Sequence, residues 1–258
     1  MATCKACSDP LVIQLDPEES DGDIQTIPDD LLLGCGCHFH WQCLLDQSEQ
    51  LAESLTCTAC STYLPSSAAG SSAASSAAAT PQGTAILARY TNEGGVQEGL
   101  DILPSIREEA YLSKHPEARR AQALHLMCGE GDVGGIVELL QDVDAGSDDE
   151  EGGMDVATLL RYQDPLNGRR SGLHVAIEKG QEEVFWLLLW LASGLPTAVF
   201  PVAVTQSALA MGLQKADVGS ETEDIRFLKD ERGRAAVDLC SEAGGQWQRF
   251  VESGLFSL

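Results

Sequence analysis

Residues 35–43 read CGCHFHWQC, three cysteines and two histidines in nine positions. Two Cys-x2-Cys pairs bracket this run, Cys4/Cys7 upstream and Cys57/Cys60 downstream. Seven of the nine cysteines therefore fall in the first 60 residues, while Cys128 and Cys240 stand alone. Tetrahedral zinc takes four nitrogen or sulfur ligands, and a Cys-x2-Cys pair supplies two of them from one tight turn. In order the candidate ligands are Cys4, Cys7, Cys35, Cys37, His40, Cys43, Cys57 and Cys60. Eight ligands fill two closed sites, so the expectation is two Zn2+ in structural roles, with no position left open for water. An odd seven thiols suits a disulfide framework poorly.

Composition narrows the remaining classes. The 258 residues carry a formal charge of −24, and no Lys or Arg occurs between Lys5 and Arg89. Nucleic-acid binding needs clustered basic residues, so that partner is excluded, as is an anionic membrane surface. The opening MATCKACSDP lacks the apolar core of a signal peptide. The longest apolar run, VFWLLLWLASGL (Val184 to Leu195), is too short to span a bilayer. These features place the protein in cytoplasm or nucleus, where clustered cysteines read as metal ligands.

The order and spacing of the eight ligands, residues 4 to 60, resembles the RING finger family, and HFHWQCL resembles the centre of its RING-H2 subgroup. The resemblance implies interleaved sites. One zinc takes Cys4, Cys7, His40 and Cys43, and the other takes Cys35, Cys37, Cys57 and Cys60. RING-H2 members have histidine where this chain has Cys37, with His38 next door. Either could complete the second site, but only Cys37 leaves two residues before His40. Cys37 is the chosen ligand and His38 the bystander. Leu31 to Leu33, Phe39, Trp41, Leu44 and Leu45 offer a small core between the sites.

RING fingers commonly recruit a ubiquitin-charged E2 enzyme and restrain its thioester, which is orientation rather than covalent catalysis. No residue is therefore expected to be catalytic. Four positions depart from the family's E2-facing pattern. Ala6 stands where a bulky aliphatic is usual, Gln47 where Trp is frequent, Thr58 where Pro is usual, and Ser61 where many active members carry a basic residue.

Beyond residues 1–64 comes a Ser/Ala-rich tract, 65–83, with no large apolar group to bury. It reads as a flexible linker. Residues 84–104 hold two β-prone runs around Asn92-Glu93-Gly94-Gly95, a hairpin pattern. From Ser105 the apolar spacing is helical, broken by Pro116, by glycines 129–135 and by an acidic loop near 142–155. Segments Gln122 to Leu140, Ser171 to Leu189 and Asp230 to Gly245 align with one another. In the first two, Leu-His is followed by glycine six residues later and then by Leu-Leu. The third keeps Asp230, Gly233 and Val237 but has Asp238 in place of the histidine.

This pattern resembles the ankyrin repeat, with its T-P-L-H-x-A signature and two antiparallel helices. The resemblance gives His125 and His174 structural roles and makes Gly131 and Gly180 helix stops. No segment has an intact Thr-Pro. GEGDVGG is no phosphate loop, because no Lys-Ser/Thr follows it.

The fold class expected is thus a small zinc-stabilised α+β RING-like domain, a flexible linker, then a mainly α-helical ankyrin-repeat solenoid over 105–258. On resemblance, the function expected is a RING-type E3 ubiquitin ligase or ligase subunit. The head recruits an E2, and the repeats hold a target protein. The competing expectation is a zinc-binding ankyrin scaffold without ligase activity. Hydrolase and oxidoreductase chemistry lack a nucleophile–base pair, a dinucleotide fingerprint and a zinc with a free position.

Overall fold

A computed structural model describes residues 2–14, 26–67, 84–145, 153–215 and 223–257. The fold is mixed helix and sheet, and the chain divides into two compact units, Met1–Lys114 and His115–Leu258.

The first unit contains strands β1 (Val12–Gln14), β2 (Thr26–Pro28), β3 (Asp30–Leu33) and β4 (His38–Phe39), then helices α1 (Trp41–Leu45) and α2 (Ser48–Ser54). It continues through β5 (Ser66–Ser67), β6 (Thr84–Ala85), β7 (Leu87–Asn92), β8 (Gly95–Asp101) and α3 (Leu103–Lys114). Strands β1 and β2 pair with each other, and a four-stranded antiparallel sheet runs β4-β3-β7-β8. The β7–β8 hairpin turns at Glu93-Gly94, where Asn92 Oδ1 accepts the Gly94 N–H at 2.9 Å.

This sheet joins the cysteine-rich segment to residues well past it. Leu31 faces Tyr90 and Leu33 faces Ala88 across the β3–β7 ladder. β3 alternates as half-buried surface requires, with Leu31 and Leu33 buried and Leu32 half-buried. Phe39, Leu44 and Leu51 complete the near side of the core, while Ile86, Ile102, Leu103 and Ile106 supply the far side. Each of those last four side chains, at 0 or 1 % exposure, stabilises the fold by about 1.5–3 kcal/mol.

The composition-based division at residues 64 and 104/105 therefore differs from the observed one at Lys114/His115. A chain of about 60 residues is marginal because it buries only about 60 % of the surface its unfolded form exposes, and the hairpin and α3 enlarge its core. The Ser/Ala tract takes a different part as well. Ser66 pairs with Ala85 and Ser67 with Thr84, so the described residues on either side of 68–83 belong to the same unit. Residues 68–83 themselves lie outside the described residues.

The second unit begins with α4 (Ala118–Glu130), α5 (Val133–Asp144) and α6 (Val156–Leu160), followed by α7 (Gly172–Lys179) and α8 (Glu182–Ala192). It ends with α9 (Val202–Ala210), α10 (Ala236–Ala243) and α11 (Gln248–Glu252). Helix α7 packs against α4 on one side and α10 on the other. Gly172 permits the close approach, since a Cβ there would sit 3.0 Å from Cys128 Sγ. Gly131 (φ 83°) and Gly180 (φ 77°) end α4 and α7 in the left-handed conformation and turn the chain into α5 and α8. Of the acidic tract, residues 142–144 close α5 and Asp155 caps α6; residues 146–152 lie outside the described residues.

Two turns repeat. The Asp164 N–H donates to Arg170 O at 2.9 Å, and the Asp230 N–H donates to Arg234 O at 3.0 Å. Each aspartate also accepts the N–H two residues on, at 2.9 Å, and Glu231 N–H to Gly168 O (2.8 Å) ties the two turns together. His174 spans the same junction. Its Nδ1 lies 2.7 Å from Ser171 Oγ, and its Nε2 lies 3.1 Å from the Arg234 carbonyl. Asp238 occupies the matching place in the first turn of α10 and accepts the Ala235 N–H at 2.9 Å. His125 is buried against Tyr162, ring centroids 5.7 Å apart.

Helix α8 is apolar on every side, and Val184 to Trp190 are all buried. Such a helix needs cover all round. Phe200 packs on Trp186 and Trp190 at 5.8 and 5.2 Å, while Trp247 and Phe250 pack on Phe185 at 5.1 and 5.0 Å. Among the described residues no helix is long and apolar enough to cross a membrane.

Burial holds both His125 and His174 below the ordinary histidine range. Below the unfolded value of about 6.5 and above each lowered folded value, the unfolded chain takes up protons that the folded unit refuses. Acidification then favours unfolding by about 1.4 kcal/mol per pH unit for each imidazole. Urea denaturation followed by tryptophan fluorescence should show stability falling from pH 7 toward pH 5, with a shallower slope in His125→Leu.

Candidate metal centre

Three tight turns present the cysteines. In the first, the Cys4 N–H donates to Asp9 O at 3.0 Å and the Ser8 N–H to Cys4 O at 2.9 Å. In the third, the Cys57 N–H donates to Thr62 O and the Ser61 N–H to Cys57 O, both at 2.8 Å. Ser8 (φ 70°) and Ser61 (φ 57°), each following the second cysteine of its pair, adopt the left-handed conformation. That conformation aims both sulfurs of a pair at one point. Between them, the β3–β4 turn carries Cys35 and Cys37. There the Leu33 N–H donates to Cys37 O, and Gly36 (φ 83°) donates its N–H to Leu33 O. His40 and Cys43 lie at and within the first turn of α1.

The result is two clusters, Cys4/Cys7/His40/Cys43 and Cys35/Cys37/Cys57/Cys60, each with its ligand atoms within 4.8 Å of one another. Each could hold a metal ion, and a set of thiolates with at most one imidazole is compatible with zinc. In chain order the ligands fall as two in the first cluster, two in the second, two in the first and two in the second. The clusters interleave, so neither can be assembled without most of residues 4–60 in place. All nine cysteines are free thiols.

His40 supports this reading in detail. Its Nε2 lies 2.8 Å from the Pro10 carbonyl, which can only accept, so Nε2 carries the proton. The Nδ1 lone pair then faces the sulfurs, 3.3 Å from Cys7 Sγ and 3.7 Å from Cys43 Sγ. This is the orienting hydrogen bond that metal-ligating histidines use. The backbone N–H of His40 also donates to Cys4 Sγ at 3.4 Å.

Crowding spreads the acidities of the thiols. In the first cluster, burial pushes Cys43 up to about 12, with the Cys4 charge adding to it. Burial acts against Cys4 too, but backbone N–H groups of Cys7, His40 and Ala6 outweigh it and bring Cys4 down to about 7. In the second, burial and the sulfurs of Cys60, Cys35 and Cys57 push Cys37 up to about 12, while Thr62 draws Cys60 down to about 6. Sulfurs so close cannot all ionise unless a cation lies among them.

The structure separates Cys37 from His38. Cys37 belongs to the second cluster, whereas His38 turns away and bonds Asp30 Oδ1 through Nδ1 at 2.7 Å. One contributor escaped the sequence reading. Asp29 is buried to 3 % exposure. Its carboxylate accepts the Trp41 N–H at 3.2 and 3.3 Å and the Tyr90 hydroxyl at 3.0 Å. The only signal in the sequence is an Asp-Asp pair before three leucines, which looks like ordinary solvated charge.

In comparison with known proteins, no family model, no curated protein and no solved structure matches this chain.

Elemental analysis of the purified chain should give two zinc ions per molecule. Cys37→Ser should lose one of them, and His38→Ala should keep both while losing about 1 kcal/mol of stability with the Asp30 contact.

Proposed function

We propose that this chain is a two-zinc RING-type E3 ubiquitin ligase or ligase subunit, with an ankyrin-type helical body that holds the target protein. The observation that carries the first half is the interleaving of two four-ligand clusters over residues 4–60. Two closed sites of this kind leave no open metal position, so the ions supply shape rather than Lewis acidity. Cys4, Cys7, His40 and Cys43 would hold one ion and Cys35, Cys37, Cys57 and Cys60 the other. The turns around them would then present a rigid surface to an E2.

For the body, the support is repetition. Helix α7 lies between α4 and α10, the turns 164–170 and 230–234 share their aspartate bonds, and His174 and Asp238 occupy equivalent places. Stacked units of this type bind proteins through helix faces and turn tips. With −24 formal charges over the chain, a basic partner surface would be drawn in fastest.

A second reading, a zinc scaffold without ligase activity, is favoured by the same four positions that depart from the family pattern. Ala6 and Ser61 are exposed and small, and Gln47 spends its amide on the Cys43 carbonyl at 3.1 Å. A groove built from these residues lacks the large apolar anchor that dominates most interfaces.

Incubation of the purified chain with a panel of ubiquitin-charged E2 enzymes and free lysine separates the readings. The ligase reading expects faster discharge with at least one E2. It also expects Ala6→Ile to strengthen that E2's binding several-fold, since another buried aliphatic is worth about 1 kcal/mol or more. No acceleration with any E2, with both zincs retained, establishes the scaffold.

A further inference from the structure

Residue 90 lies 47 positions beyond the last ligand of the Cys4/Cys7/His40/Cys43 cluster, on a strand that contributes no cysteine. Its hydroxyl nevertheless ends one residue from that cluster's histidine. Tyr90 donates to Asp29 Oδ1 at 3.0 Å, and the same carboxylate accepts the backbone N–H of Trp41, the first residue of α1. His40 precedes that N–H directly and Cys43 follows on the same turn. Among the described contacts no side chain caps α1 from position 40, so the remote Asp29 does what an N-cap residue usually does. The Trp41 and Tyr90 rings also pack, with centroids 5.1 Å apart.

We propose that Tyr90 and Asp29 are positioning residues for the Cys3His site: Tyr90 holds the Asp29 carboxylate, and Asp29 fixes the helix turn that aims His40 and Cys43 at the metal. Residues 84–114 are then part of the metal-binding unit rather than an appendage to it. The inference rests on the metal-binding reading and adds a dependence that the eight ligands alone do not have.

The Asp29 carboxylate is 3 % exposed, so any partner it loses is not replaced by bulk water. Removing the Tyr90 hydroxyl leaves the carboxylate free to turn away from Trp41. It leaves the Cys35/Cys37/Cys57/Cys60 site untouched, because no ligand of that site lies on α1. Outer partners of metal ligands commonly change metal affinity by about 10–100-fold. Tyr90 acts one step further out, so about tenfold is the expected effect.

The full chain loaded with Co2+ offers a site-resolved readout, since a site of three thiolates and one imidazole and a site of four thiolates differ in their visible absorption bands. In a chelator titration, Tyr90→Phe, which keeps the ring against Trp41, should release cobalt from the Cys4/Cys7/His40/Cys43 site at about tenfold lower chelator, with the Cys35/Cys37/Cys57/Cys60 site unchanged. Asp29→Asn should give the same selective loss, and adding Tyr90→Phe to it should cost nothing more. Arg89→Ala, on the same strand but exposed, should match the wild type. Equal weakening of both sites, or no weakening of the Cys3His site, overturns the proposal. A wild-type chain that takes up no cobalt instead overturns the metal reading beneath it, and that result is seen before any variant is made.

Discussion

Sulfur atoms held within 4.8 Å of one another in two places impose the main constraint on the N-terminal unit. Without a cation, burial and mutual repulsion keep Cys37 and Cys43 protonated, at about 12, even as hydrogen bonds pull Cys60 down to about 6. Such a cluster is stable as thiolates only around a positive ion, and structural zinc supplies on the order of 10 kcal/mol to folding. The interleaved order turns that local energy into a global one. The first cluster spans residues 4–43 and the second residues 35–60, so an ion in either would close a loop that contains ligand candidates of the other.

The clusters do not stand in for a hydrophobic core; they border one. Leu31, Leu33, Phe39 and Leu44 form one half of the packing, and Ile86, Ile102, Leu103 and Ile106 form the other. Asp101 serves the join by accepting the N–H groups of both Ile86 and Leu103, at 3.0 and 3.1 Å. Lys114, at the end of α3, reaches Glu53 at 3.1 Å. This exposed pair adds little energy, but it marks how far along the chain the unit extends.

The helical unit depends on a different constraint, the need to cover α8. A stacked helix pair leaves the outer helix with one wet side. Here Phe200 from the segment after α8, with Trp247, Phe250 and Phe256 from the C-terminal residues, seals that side. Helices α4 and α7 pack closely where Gly172 meets Cys128, which sets their spacing. Arg226, 3 % exposed, holds the seal by donating to the Leu255 carbonyl at 2.7 Å while paired with Asp224. Helix α8 is thereby covered rather than left as an exposed apolar face.

The grouping of these eight Cys and His residues into two clusters was legible because zinc chemistry demands particular residue types at short, countable spacings. So were the helix stops at Gly131 and Gly180, because a left-handed residue is cheap only for glycine. Sequence alone also placed the turn near Glu93-Gly94. It did not reveal that β7 would pair with β3. That pairing joins segments separated by more than 50 residues through backbone hydrogen bonds, which carry no residue signature. Nor did it single out Asp29 and Tyr90, whose roles exist only once the sheet brings them together. Local chemistry, read residue by residue, determined what each cysteine and glycine is for. Tertiary structure alone decided where the unit ends and which remote side chains meet beside the first cluster, because long-range pairing is set by the closing of a shared core.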